Sequence, residues 1–258
     1  MTPRFPLVLL LAALLAGLPA LATQPPAPDP VYRPALEAEA RLDTRRALDL
    51  FLDLEKSRPN DPFLLQKIAR QYSDLVVDLP TEAEKRAAVE RALDYSRRAV
   101  ALAPKNPENV LSLAVCHGKL AVFSGTGDKI KYSRLVREDA ERALSLDSNY
   151  AWAHHVLGRW HYEVATLGSA ARFFVKLFYG GLPDATVAAA IRHLERAVAL
   201  EPAQLQHRLE LGFAHLAAGD TARARDAFAA GLAQPSREKH DEPAKARARA
   251  ALAGLPPP

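Results

Sequence analysis

A helix-pair unit recurs along this chain, and a recurring unit restricts the fold more than any other feature of a sequence. Its first helix carries an apolar residue followed by a small one, with a ring a turn later. Its second helix carries alanines and an aromatic on one face, and a proline closes it. The last copy is unbroken: Leu211-Gly212 and His215, a turn at Gly219-Asp220, then Ala224, Phe228 and Gly231, with Pro235 at the end. Upstream, Ile68-Ala69 and Tyr72 precede Ala92, Ala99 and Pro104. Leu113-Ala114 and His117 precede Ala140 and Ala143, with Ser148 where proline is usual. Leu157-Gly158 and His161 precede Ala190, Leu194, Ala197 and Pro202. Before them, Ala47, Phe51, Leu54 and Pro59 read as the second helix of a further unit, and Ala244 to Leu252 as a capping helix. Small residues let helices approach closely, and proline stops each unit because it cannot continue a helix. One pair cannot bury its apolar face alone, so neighbouring pairs must stack.

The expected fold is therefore all-α, a tetratricopeptide-repeat-like solenoid of stacked antiparallel helix pairs over residues 35–253. Composition agrees: hydrophobic residues make up 49% of the 258, chiefly the strong helix formers Ala and Leu. A net charge of +4, with basic and acidic residues interleaved, reads as solvated helix faces and excludes a nucleic-acid-binding arm. The single cysteine, Cys116, rules out an internal disulfide and lies in an apolar helical run, where it serves as a small core residue.

The N-terminus reads as an address. Arg4 and the terminal amine precede an apolar run from Leu7 to Leu18, and Ala20-Leu21-Ala22 offers small residues for a signal peptidase. That run is short of the roughly 20 residues a helix needs to cross a bilayer. Residues 1–22 are expected to be a signal peptide cut after Ala22, which places the protein in a periplasm or outside the cell. Five prolines between Thr23 and Pro34 deny helical hydrogen bonds, so 23–34 is expected to be an extended linker. Residues 254–258 are expected to be a disordered tail.

Two segments carry a narrower likeness. The first, 114–144, holds Gly118-Lys119-Leu120-Ala121 and Lys129-Ile130-Lys131. The second, 153–202, holds Gly158-Arg159-Trp160 followed by Tyr162-Glu163-Val164-Ala165, then an aromatic insertion ending in a Gly-rich Leu182-Pro183 turn. The stretch 35–235 resembles the regulator of microtubule dynamics family of tetratricopeptide-like proteins. That resemblance implies a non-catalytic helical scaffold. It also implies, for the animal members, microtubule association in the cytoplasm or cytoskeleton. An exported chain would not meet microtubules, so that partner is expected only if the export reading fails.

The first helices of such arrays line the inner face. Counting from the small residue places Arg70, Lys119, Trp152, His155, Arg159, Tyr162 and Phe213 there, with Phe63, Gln66, Val115, Gln206 and Leu209 nearby. Basic groups beside rings suit an extended peptide or an anionic group. Phe173, Phe174, Leu177, Phe178 and Tyr179, flanked by Arg172 and Lys176, form the insertion. Two readings are open for it: a helix that docks a partner or lipid through Phe173, Phe174 and Phe178, or one that folds back to seal the stack. Sealing is expected, since an exposed patch endangers solubility.

No catalytic constellation stands out. His117, His161 and His215 recur at one station of successive repeats, which predicts packing rather than metal ligation. Gly125-Thr126-Gly127-Asp128-Lys129 lacks the spacing of a phosphate-binding loop and reads as a turn. No enzyme activity, metal or cofactor is expected.

Overall fold

The computed structural model describes residues 29–255. The expected signal, most of the expected linker and the last residues of the expected tail lie outside the described residues. The final residues of that linker are not extended: Pro30–Tyr32 form a 3-10 turn that runs straight into α1 (Arg33–Ala40). The cause is Tyr32, which is buried against Phe63 with ring centroids 5.1 Å apart and donates its hydroxyl to Asp61.

After α1 come α2 (Thr44–Glu55), α3 (Pro62–Leu75), α4 (Glu82–Leu102), α5 (Pro107–Val122) and α6 (Thr126–Leu146). They are followed by α7 (Ala151–Ala165), α8 (Ser169–Tyr179), α9 (Val187–Leu200), α10 (Leu205–Ala217), α11 (Thr221–Leu232) and α12 (Asp241–Ala253). No strand occurs among the described residues. The helices pack as five antiparallel pairs, α1/α2, α3/α4, α5/α6, α7/α9 and α10/α11, with α8 inserted in the fourth and α12 resting on α10 and α11. This is the expected solenoid in the expected register.

Local chemistry starts several of the helices where the repeat needs them. Asp61 accepts from the amides of Phe63 and Leu64, and Asn106 from those of Glu108 and Asn109, each followed by a proline at the first helical position. Thr81 and Glu84 form a reciprocal capping box at α4. The Gly125–Lys129 stretch is not a free turn: Gly125 is the residue before α6, whose first turn begins at Thr126. The proline closures fall in the loops after α2, α4, α9 and α11.

The seam is built from small against large. A β-carbon at Gly158 would lie 2.6 Å from Leu194 Cγ, one at Gly212 2.5 Å from the Phe228 ring, and one at Gly231 2.5 Å from Leu209 Cδ2. In the last two repeats the first helix therefore touches the second at a distance only glycine permits. Cys116 is buried in the α4/α5 seam, 3.7 Å from Ser96 Oγ, and burial pushes its thiol up to about 11. It is a packing residue without thiolate character.

Candidate partner-binding face

The first helices touch in series, α3 with α5, α5 with α7, and α7 with α10. Their free faces merge into one inner surface, and the site residues expected from sequence all come from these helices. Arg70 lies on α3, Lys119 on α5, Trp152, His155, Arg159 and Tyr162 on α7, and Phe213 on α10.

Arg70 is ringed by carboxylates. Its Nε lies 3.4 Å from Glu39 and 3.7 Å from Asp74, and its Nη2 donates to Glu238. Burial works against the guanidinium charge, but Glu238, Asp74 and Glu39 together more than offset it and raise its pKa. Lys119 donates to the Ser73 carbonyl at 2.7 Å and lies 3.1 Å from His240 Nε2. Burial lowers the Lys119 pKa, with Asp74 opposing. Further along, Arg159 pairs with Glu163 at 2.8 Å and faces Glu210 at 3.9 Å.

The basic stations expected from sequence are thus met by acidic ones that the spacing argument did not single out: Glu39, Asp74, Glu163 and Glu210. A second unexpected element is the connection between α11 and α12. Instead of turning locally, it crosses the inner face to α3. Glu238 reaches Arg70, Lys239 pairs with Asp78 at 2.9 Å, and His240 lies 3.2 Å from Asp74. Asp241 holds the crossing in shape, accepting from the amides of Arg237 and Glu238 at 2.8 Å each and from Gln206 at 2.8 Å. Behind it, Arg247 on α12 pairs with Glu210 at 2.6 Å and covers the Phe213 ring at 3.9 Å. The alternating charges of Arg237-Glu238-Lys239-His240-Asp241 were the only signal of this return in the sequence.

Trp152 and His155 are packing residues of the same face. The two rings meet edge-on at 5.0 Å, Trp152 meets His207 at 4.8 Å, and the Nδ1 atoms of His155 and His207 are 3.0 Å apart. Tyr162 packs against the cluster of Ala190, Leu194 and Ala214. Among the seven expected residues, Arg70, Lys119 and Arg159 carry charge at the face, and the other four shape it.

Comparison with known proteins places this architecture. The sequence model of the family described as "Regulator of microtubule dynamics protein 1-3" matches residues 34–255. The chain belongs to this family. Two of its similar relatives are regulator of microtubule dynamics protein 3 of Xenopus laevis and protein 1 of Mus musculus. The first is 30% identical over 138 residues, 54% of this chain and 30% of the relative. The second is 26% identical over 161 residues, 62% of this chain and 52% of the relative. The chain therefore spans about half the length of these relatives or less. Among solved structures, a thermophilic tetratricopeptide-repeat protein of Thermus thermophilus superposes with a TM-score of 0.63 at 21% identity, covering 86% of this chain and 97% of the other. That likeness shows the helical-repeat fold.

In this regulator of microtubule dynamics family member the aromatic insertion does not seal the stack, contrary to expectation. It forms α8, which stands off the array with Phe173 68% exposed, Phe178 63% and Phe174 48%. Its tether is at the end: Arg134 donates to the carbonyls of Tyr179 and Gly181, after which Gly180 and Gly181 turn the chain with positive φ. None of the eleven residues of α8 is buried, because this tether holds the helix by its C-terminal end on α6 and away from the seam.

The recurring histidines of the family member lie apart. His117 is buried and hydrogen-bonded to Asp139 at 2.9 Å, His161 stacks on His193 at 5.6 Å, and His215 is buried in α10. Among the described residues no group of three or more His, Cys, Asp or Glu side chains is arranged to hold a metal ion. Nor is any described helix long and apolar enough to cross a membrane.

Proposed function

We propose that the protein is a non-catalytic helical-repeat scaffold that binds a protein or peptide partner along its inner face, in an exported compartment. The observation that carries this reading is the convergence of Arg70, Lys119 and Arg159, from three consecutive repeats, on one half-buried polar surface. Side chains spaced one per repeat match an extended chain, which offers its own groups at regular intervals. The compartment rests on the sequence of residues 1–22. N-terminal sequencing of the native protein should begin at Thr23; a start at Met1 sinks the export assignment and returns microtubules, named in its relatives, to consideration.

The partner assignment is tested by affinity capture with the wild-type chain and with Arg159→Glu. The Arg159 side chain is 48% exposed, far-UV circular dichroism checks that the variant keeps its fold beside Glu163 and Glu210, and reversal of the charge should remove the captured partner. Undiminished recovery by the variant overturns the inner-face assignment.

The exposure of α8 supports a second contact surface. Phe173, Phe174 and Phe178 with Arg172 and Lys176 form an amphipathic helix of the kind that rests on anionic lipid. Co-sedimentation with phosphatidylglycerol vesicles should fall when Phe174 and Phe178 are both replaced by serine. Absence of wild-type binding removes this surface.

A further inference from the structure

The segment between α11 and α12 has the attributes of a bound ligand more than of a loop. It leaves α11 at Leu232, is freed from helix by Pro235, and reaches Arg70, a residue 168 positions earlier in the chain. It is held there by polar side chains alone: Glu238 on Arg70, Lys239 on Asp78, and His240 against Asp74 and Lys119. Ser236 and Arg237 are exposed, and Glu238, Lys239 and His240 are half-buried, so no apolar side chain of the crossing enters the core.

The fit is also incomplete. A cavity of about 200 Å³ remains between the crossing and the first repeats, lined by Glu39, Arg70, Gln71, Asp74, Glu238 and Lys239 among others. The ion pairs of the crossing keep about a fifth to a third of their side-chain surface exposed, so water and salt reach them and each one is individually modest. The ends of the segment are anchored independently of them. Asp241 is buried and bonded to Gln206, Lys245 donates to the Gln234 carbonyl at 2.7 Å, and Ala248 is fully buried against α10 and α11, so α12 has anchors outside the crossing, while release of residues 236–240 gives up the bonds of the Arg237 and Glu238 amides to Asp241.

We propose that residues 236–240 are a resident ligand of the inner face, and that the outside partner is an extended peptide of the same chemistry. It sets a carboxylate on Arg70 and basic side chains on Asp74 and Asp78, and it binds by displacing the segment. This rests on the inner face being the partner-binding surface. A tethered competitor is present at high effective concentration. The apparent affinity for an outside peptide is therefore reduced by the fraction of time the face is open.

The test uses a fluorescent peptide with the sequence of residues 234–242, titrated by anisotropy into the full chain. Loosened chains are Glu238→Gln, which is isosteric, and the triple replacement of Glu238, Lys239 and His240 by alanine; far-UV circular dichroism checks their fold. The peptide should bind the loosened chains about tenfold or more tightly than wild type, as expected for removal of a competitor that fills the face most of the time. Adding Arg70→Ala to Glu238→Gln, or changing the peptide's glutamate that corresponds to Glu238 to glutamine, should abolish the gain. Equal binding to wild-type and loosened chains, or none to the loosened chains at millimolar peptide, overturns the proposal. If the captured partner is lost on Arg159→Glu but recovered equally by wild-type and Glu238→Gln chains, the inner face remains the binding surface and only the resident-ligand idea falls.

Discussion

At the scale of single residues, what a glycine does depends on what faces it. Gly212 lies against the Phe228 ring, which is fully buried and cannot step aside, whereas a β-carbon at Gly118 would meet only Val136 Cγ2 at an ordinary 3.7 Å. Gly212→Ala should therefore destabilise by about 1–3 kcal/mol through overpacking. Gly118→Ala, inside α5, should stabilise by up to about 1 kcal/mol through helix propensity. Urea denaturation of both variants checks this, and a shared sign would mean that packing does not decide. Two histidines, buried His155 and half-buried His193, contribute to the response to acid. Burial, then His207 and the charges of Arg159 and Arg247, hold His155 well below the ordinary value of 6.5. Burial, then His154, His161 and Arg192, bring His193 down to about 4. Above pH 6.5 both are neutral folded or unfolded and contribute nothing to the pH dependence. As pH falls below 6.5 the unfolded chain takes up protons that the fold refuses, so stability declines toward pH 4. For His155 the slope is about 1.4 kcal/mol per pH unit. Urea midpoints at pH 7.5 and 5 should differ less in His155→Asn than in wild type; equal differences would show that His155 takes its proton in the fold.

Elements are joined by a device that repeats with them. Arg98 on α4 donates to the Pro59 carbonyl at 3.0 Å, Arg142 on α6 to that of Pro104 at 3.2 Å, and Arg196 on α9 to Asn149 Oδ1 at 2.6 Å. Each arginine immediately precedes a fully buried alanine, Ala99, Ala143 or Ala197, so its direction is set by the face that the alanine buries. The guanidinium thereby clasps the loop that closes the preceding repeat. Arg142→Ala should cost about 1 kcal/mol, the net value of one such bond, and its effect should add to that of Arg98→Ala, since the two act on different loops. Thermal melts of the single and double variants measure this. The helices themselves were legible because their signals are local: small-large pairs, capping residues and closing prolines lie within a turn or two of what they control. The disposition of α8 was not. Its rings are the same whether they seal or project, and the outcome depends on the length of the insertion and the Arg134 tether.

For the whole molecule, the crossing from α11 to α12 adds a contact between the last repeat and the second helix pair. Solenoid contacts join nearest neighbours, and stability then propagates along the array. Here Glu238, Lys239 and His240 connect the last repeat to α3 directly. Replacing these three by alanine should raise hydrogen exchange in α3 around Asp74 while leaving α6 unchanged, because α3 loses partners and α6 loses none. Uniform change across all helices would mean that the crossing does not couple the ends.

Sequence alone determined the helix pairs, their register and the first helices on which Arg70, Lys119 and Arg159 lie, because helical periodicity and repeat length convert position in the chain into position within a repeat. It could not determine what those charges meet. Asp74 is Arg70's i+4 neighbour on α3, but Glu39 and Glu238 come to Arg70 from distant parts of the chain, and only the curvature of the finished stack brings residue 238 back to residue 70. Ion pairing of that kind has no periodicity to betray it, so the occupant of the inner face was decided by the tertiary structure.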